Sequence, residues 1–114
     1  MEYFSPQDHK SPMKNLLKKL ISRESRWDRV GPRVAAIRLT LGLSKAAFAD
    51  SIALDRSSLT KIEKGVAGLD IATGEVIAEI YGFGLDFTYR GDLSDVPLDL
   101  RPSLIGHLAA LMPN

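Results

Sequence analysis

Three features of this 114-residue sequence predict an all-α fold. Apolar residues recur three and four positions apart in a series of short segments between residues 30 and 91, the spacing that puts them on one face of a helix. Most of these segments open on a Ser or Asp able to cap a helix and close on a Gly able to end one. Nowhere does the alternating apolar–polar pattern of a half-buried strand intervene.

The elements follow in order. In the N-terminal stretch 1–26, the first ten residues are polar and read as disordered. The run from Lys14 to Ile21 then places Leu16, Leu17, Leu20 and Ile21 opposite Lys14, Lys18 and Lys19. It reads as a short basic amphipathic helix, better suited to docking on the domain or on a partner chain than to a membrane surface. Gly31–Pro32 precedes the next helix, in which Val34, Ile37, Arg38 and Leu41 share a face and Gly42 is the stop. Ser44 caps a second helix that buries Phe48, Ala49 and Ile52, and Asp55 caps a third, over about 55–64, that buries Leu59 and Ile62 and ends at Gly65. Asp70 opens a fourth, with Ile71, Val76, Ile77 and Ile80 inward, which Gly82 ends; Phe83, Leu85 and Phe87 anchor a short fifth. Residues 92–114 combine a turn-rich acidic linker with a last helix from Pro102, whose stripe of Leu104, Ile105, Leu108, Leu111 and Met112 is too apolar to face water alone. That stripe packs either on its own domain or on a second chain. The organisation expected is therefore an extension over 1–26, a helical domain over 27–91 and a linker with C-terminal helix over 92–114.

Composition narrows the function classes. The chain has no cysteine, so it has no disulfide, thiolate nucleophile or cysteine-ligated zinc, and its two histidines lie near opposite ends. No apolar run is long enough to span a membrane and no secretory leader is evident, which makes a cytoplasmic location the expectation. Glu75 and Glu79 share a helical face, but no histidine or nucleophile stands at motif spacing and no glycine-rich phosphate cradle is present. The reading is of a non-enzyme without cofactor or metal. The net charge of +1 conceals an uneven distribution: residues 1–27 and 28–65 each carry +3, and residues 66–114 carry −5. Such a division turns a basic front toward a polyanion.

The informative constellation lies between Ser44 and Lys64. Two short helices joined by the turn Ala53–Leu54–Asp55 must cross steeply, so their point of contact needs a small side chain, here Ala49, flanked by Phe48, Ile52, Leu59 and Ile62. Helix-turn-helix proteins use this pattern on DNA, and ordinary helical bundles use it without DNA.

RVAAIRLTLGLSKAAFADSIALDRSSLTKIEKG resembles the helix-turn-helix of the Xre/Cro family, and YGFGLDFTYRG resembles the segment closing that lambda-repressor-like five-helix domain. The resemblance implies a sequence-specific regulator of transcription on double-stranded DNA, most simply a repressor, with the helix over 55–64 in the major groove. Arg56, Ser57, Thr60 and Lys61 would read bases, Ser44, Lys45 and Lys64 would meet phosphates, and Arg38 and Glu63 would form a salt bridge between the first and third helices. Arg and Lys can donate to guanine O6 and N7, and Ser and Thr hydroxyls can serve as donors or acceptors, so the chemistry agrees. The sequence departs from the family at three points. Ala53 fills a turn position usually held by glycine. The loop Val66–Ala67–Gly68–Leu69 lacks the polar residues that often touch phosphate there, and Lys45 replaces a glutamine. The basic segment 14–23 would make up lost affinity if it lay beside the duplex.

One recognition helix reads only a few base pairs, so a homodimer is expected, joined through Pro102–Met112 or through Phe83, Leu85 and Phe87. Two alternatives remain: an antitoxin-type regulator that also holds a toxin, with residues 102–112 open to a protein partner, and an interaction module that uses the scaffold without DNA.

Overall fold

The computed structural model describes residues 24–112, and within them every regular element is helical. The helices are α1 (Trp27–Thr40), α2 (Lys45–Ser51), α3 (Arg56–Glu63), α4 (Ile71–Tyr81), α5 (Leu85–Arg90) and α6 (Arg101–Leu111). Two single 3-10 turns, Leu93–Asp95 and Leu98–Leu100, lead into α6. The expectations for the basic segment 14–23, the polar first ten residues and Pro113 lie outside the described residues.

α1 begins earlier than Gly31–Pro32 suggests, and both residues lie inside it. Pro32 can give no N–H to the Asp28 carbonyl one turn back, so local preference argues for a boundary here. Packing overrides it. Val30, Gly31, Arg33, Val34, Ala35, Ala36 and Ile37 are all buried, making α1 the central element of the fold. Gly31 marks its closest approach to α3: a Cβ there would collide with the Ile62 carbonyl oxygen and lie 2.9 Å from the Glu63 carbonyl oxygen and the Gly65 nitrogen.

The first three helices end alike. In each, two backbone N–H groups beyond the last turn fold back on its carbonyls, Gly42 to Leu39 and Leu43 to Arg38, Ala53 to Asp50 and Leu54 to Ala49, Gly65 to Ile62 and Val66 to Lys61, at 2.9–3.3 Å. This Schellman closure requires a left-handed residue at the reversal. Gly42 and Gly65 fill that role after α1 and α3, but after α2 the residue is Ala53, at φ +56°. The left-handed backbone costs an L side chain about 1 kcal/mol, part of which is returned by a stiffer unfolded chain. Ala53→Gly is therefore expected to raise the thermal midpoint by about 3–5 °C without changing the fold, as a melt followed by circular dichroism will show.

The core draws on every helix: Val34 and Ile37 from α1, Phe48 and Ala49 from α2, Leu59 and Ile62 from α3, Ile77 from α4, Phe87 from α5 and Leu104 from α6, with Phe83 between α4 and α5. α4 differs from the sequence expectation. Gly74 and Ile77 are buried and Val76 half-buried, but Ile71 and Ile80 stand more than half exposed. They flank the buried line on opposite sides, a quarter-turn from it, so the helix carries more apolar surface than its neighbours cover. Phe83 and Phe87 are fully buried within the one chain. They are thereby removed as an interface between two copies, because the core of the monomer already uses them.

The acidic stretch before α6 is folded down onto the domain. Val96 is buried, and the Asp95 carboxylate accepts the Asp86 N–H at 2.8 Å at the start of α5. α6 then lies chiefly along α1, burying Leu104 and half-burying Leu108, while Ile105 and Leu111 face outward. The last helix thus has its main support in its own chain and keeps an exposed apolar side.

Tyr89 on α5 spans from its helix to the α3–α4 connection. Its hydroxyl lies 2.8 Å from both the Leu69 and Asp70 carbonyl oxygens, and its ring lies against Gly74, where a Cβ would be 2.7 Å from the hydroxyl. Burial, reinforced by Asp70 and Glu75, pushes the phenol up to about 12. A group whose pKa is raised on folding contributes fully below its unfolded pKa and loses that contribution as pH rises through the folded value. The stability difference between the native chain and Tyr89→Phe should therefore stay constant up to about pH 10 and shrink toward pH 12. Denaturant midpoints measured across that range check it.

Candidate nucleic-acid interface

α3 owes its position to three local devices. Asp55 caps its first turn, accepting the Ser58 N–H at 2.7 Å and the Ser58 hydroxyl at 2.9 Å. The hydrogen bonds from Ser58, with a weaker pull from Lys61, hold the Asp55 carboxyl below its usual range. Leu59 and Ile62 bury the inner side against α1 and α2. Arg38 of α1 then clasps Glu63 in a two-pronged ion pair, Nε to Oε2 at 2.7 Å and Nη2 to Oε1 at 3.1 Å. Its remaining Nη1 donates to the Leu43 carbonyl at 3.1 Å, so the same guanidinium fastens the α1–α2 loop. The pair is largely buried, at 13% and 7% side-chain exposure, and its role is to hold helices together.

On the outer side of α3, Arg56, Ser57 and Lys61 are exposed and Thr60 is half-buried. With Lys64 and Val66 they line a single shallow concavity of ≈ 570 Å³. Val66 was not anticipated from the sequence; it is 62% exposed and forms the apolar end of this surface. Ser44 and Lys45 stand at the start of α2, where the Ser44 hydroxyl accepts the Ala47 N–H at 3.1 Å; Ser44 is exposed and Lys45 half-buried.

The charge on this side differs from the sequence expectation of a uniformly basic front. Arg33 is 3% exposed, and its guanidinium pairs with the Glu24 carboxylate and donates to the Glu24 carbonyl at 2.8 Å and the Thr88 carbonyl at 3.3 Å. Arg29 pairs with the same carboxylate at 3.3 Å, and Arg38 is taken by Glu63. Burial raises the Glu24 carboxyl, but Arg29 and Arg33 together outweigh it and hold the group below its ordinary value. Burial lowers the Arg33 guanidinium, partly offset by Glu24. Three of the cations counted from the sequence are thus structural. Those left on the outer side are Lys45, Arg56, Lys61 and Lys64, none of which forms a salt bridge among the described residues. The helix that carries Glu75 and Glu79 holds both exposed, lining a separate concavity with Ala72, Val76, Ala78 and Leu85.

No helix among the described residues is long and apolar enough to cross a membrane. Comparison with known proteins bears on the central segment. Residues 34–87, a little under half of the chain, match the family described as Helix-turn-helix. No curated protein and no solved structure matches the chain. The matched span holds the second half of α1, α2, the reversal at Ala53, α3, α4 and the start of α5, with both ends of the Arg38–Glu63 ion pair. Over residues 34–87 this chain is therefore similar to the helix-turn-helix family.

Proposed function

We propose that this protein is a sequence-specific repressor of transcription that inserts α3 into the major groove of double-stranded DNA. The observation that carries the reading is the common outward surface of Arg56, Ser57, Thr60 and Lys61, held in one concavity with Lys64. Arg56, in the first turn of α3, reaches base edges, since the N-terminal residues of a recognition helix lie deepest in the groove. Ser57, Thr60 and Lys61 complete the base-reading set. Ser44, Lys45 and Lys64 flank it and engage phosphates, which fix register without reading sequence. Residues 27–91 form the DNA-binding unit, extended by the segments 1–26 and 92–114. Occlusion of a promoter is the simplest regulatory consequence.

The protein acts as a homodimer, with two copies of α3 about 34–36 Å apart on a pseudo-palindromic site. The outward side of α6, with Ile105 and Leu111, supports this as the surface left for a second copy. Selection from a random duplex pool should return two half-sites about 10 base pairs apart. A protein that light scattering finds monomeric both free and on its site overturns the dimer. Arg56→Ala is expected to weaken binding to the selected site by about 1–3 kcal/mol and to relax preference at one position of each half-site. Lys45→Ala and Lys64→Ala should each weaken binding evenly across sequences and lower the salt slope by about 1. Equal losses of one kind from all three substitutions would contradict the roles assigned.

A further inference from the structure

We propose that Trp27 is a contact to the DNA backbone, its indole packing on a deoxyribose and donating its N–H to a phosphate of the duplex that α3 engages. The inference rests on the DNA-binding reading above and extends it to a residue outside the matched span. Trp27 is the chain's only tryptophan and is 55% exposed at the first position of α1. Its ring is seated on the loop that follows α3: a Cβ on Gly68 would lie 2.6 Å from the indole Nε1 and 3.0 Å from Cε2. The backbone at the start of α1 is held as closely, since a Cβ on Gly65 would lie 3.3 Å from the Trp27 carbonyl oxygen and 2.9 Å from the Asp28 Cα. The indole is therefore held at a fixed place beside the end of α3.

That place continues the surface already described. Lys64 and Val66 line the concavity of Arg56 and Lys61, and Gly65 between them lines the next one together with Trp27. Along this edge the loop supplies no polar side chain, because residues 65–68 are Gly, Val, Ala and Gly. The neighbouring Arg26 is tied to Asp28 at 2.9 Å, so that pair is close to neutral. The indole Nε1, with no hydrogen-bond partner among the described residues, is the donor available there. A flat apolar face with an N–H at one edge suits the sugar–phosphate backbone, which offers an apolar sugar beside an anionic acceptor. Bases lie out of reach of a residue at the rim, so the contact adds affinity without sequence preference.

An uncharged contact has a distinctive signature, because only cations release counterions when they meet phosphate. Trp27→Ala in the full chain is expected to weaken binding about fivefold, the worth of one neutral hydrogen bond. The factor should be equal on the selected duplex and on a mixed-sequence duplex, with the salt slope unchanged. Gly68→Ala, which pushes the ring off its seat, should weaken binding in the same way, and the double variant should bind no more weakly than Trp27→Ala alone. As the single tryptophan, Trp27 also reports directly: its emission should change when either duplex is added. Tight duplex binding with unchanged emission and an unaffected Trp27→Ala overturns the inference and leaves the DNA reading standing. So does an emission change that follows protein concentration instead of duplex. Failure of the native chain to bind any duplex overturns both. Should Trp27→Ala fold poorly, Gly68→Ala and the emission titration of the native chain decide the matter.

Discussion

Replacing Gly31 with alanine is expected to cost about 3 kcal/mol or more, a large share of the stability of a domain of this size. The added methyl would enter the Ile62 carbonyl oxygen and crowd the Glu63 carbonyl oxygen and the Gly65 nitrogen at 2.9 Å. All three are backbone atoms, so no rotamer change relieves the clash, and α1 would have to move away from the end of α3. Movement there would also tilt the surface of Arg56 and Lys61, so surviving folded molecules should bind DNA poorly. Gly106 on α6 is the internal control, because a Cβ there meets nothing within 4 Å. Gly106→Ala should stabilise by about 0.5–1 kcal/mol through helix propensity alone. Urea unfolding of the two variants beside the native chain gives opposite signs if the crossing is as described. A Gly31→Ala variant with the native midpoint would rule the crossing out.

Glu63→Ala should destabilise by about 2–3 kcal/mol, because it strands the Arg38 guanidinium in a site of low exposure with only the Leu43 carbonyl as partner. This lies at or below the lower edge of the range for broken buried pairs, about 3–5 kcal/mol, since Arg38 keeps 13% exposure and can swing partly into water. The pair itself contributes little against a well-packed apolar replacement. Arg38→Met combined with Glu63→Leu should accordingly recover most of the lost stability. Recovery of stability without recovery of DNA affinity would assign the ion pair to the setting of α3 against α1. Equal losses in the single and double variants would assign the whole cost to packing.

The helical character of the chain and the position of α3 were legible because they depend on neighbours in sequence. Ser44, Asp55 and Asp70 cap α2, α3 and α4 through their own side chains, three residues back from the N–H each accepts. The reversal after α2 was legible too, Ala53 being the residue forced to the left-handed backbone. Spacing of apolar residues along α3 places Leu59 and Ile62 inward and Arg56, Ser57 and Lys61 outward whatever the helix packs on.

What periodicity cannot carry is the identity of the partner across the core. Gly31–Pro32 looks like a boundary to any rule of local preference, and only the burial of α1 on both sides of it keeps the helix intact. Ile71 and Ile80 look like core because they are apolar and helical, yet the packed chain leaves both more than half exposed. Arg33 looks like front-facing charge until Glu24 is found against it, whereas the Arg38–Glu63 pair, 25 positions apart, was expected only from the family resemblance. Trp27 and Gly68 share no motif; the glycine matters because a ring from the start of α1 rests on it.

By itself the sequence determined the helices, their ends apart from the start of α1, and the outward residues of α3, since each follows from interactions within a turn or two of the chain. Tertiary structure alone decided which cations remain free to meet an anion, which aromatic residues are spent in the core, and where α6 lies. Those outcomes depend on contacts between residues beyond the reach of one helical turn, from nine positions apart for Glu24 and Arg33 to 25 for Arg38 and Glu63, where the surface removed from water and the charges left unpaired are properties of the packed chain.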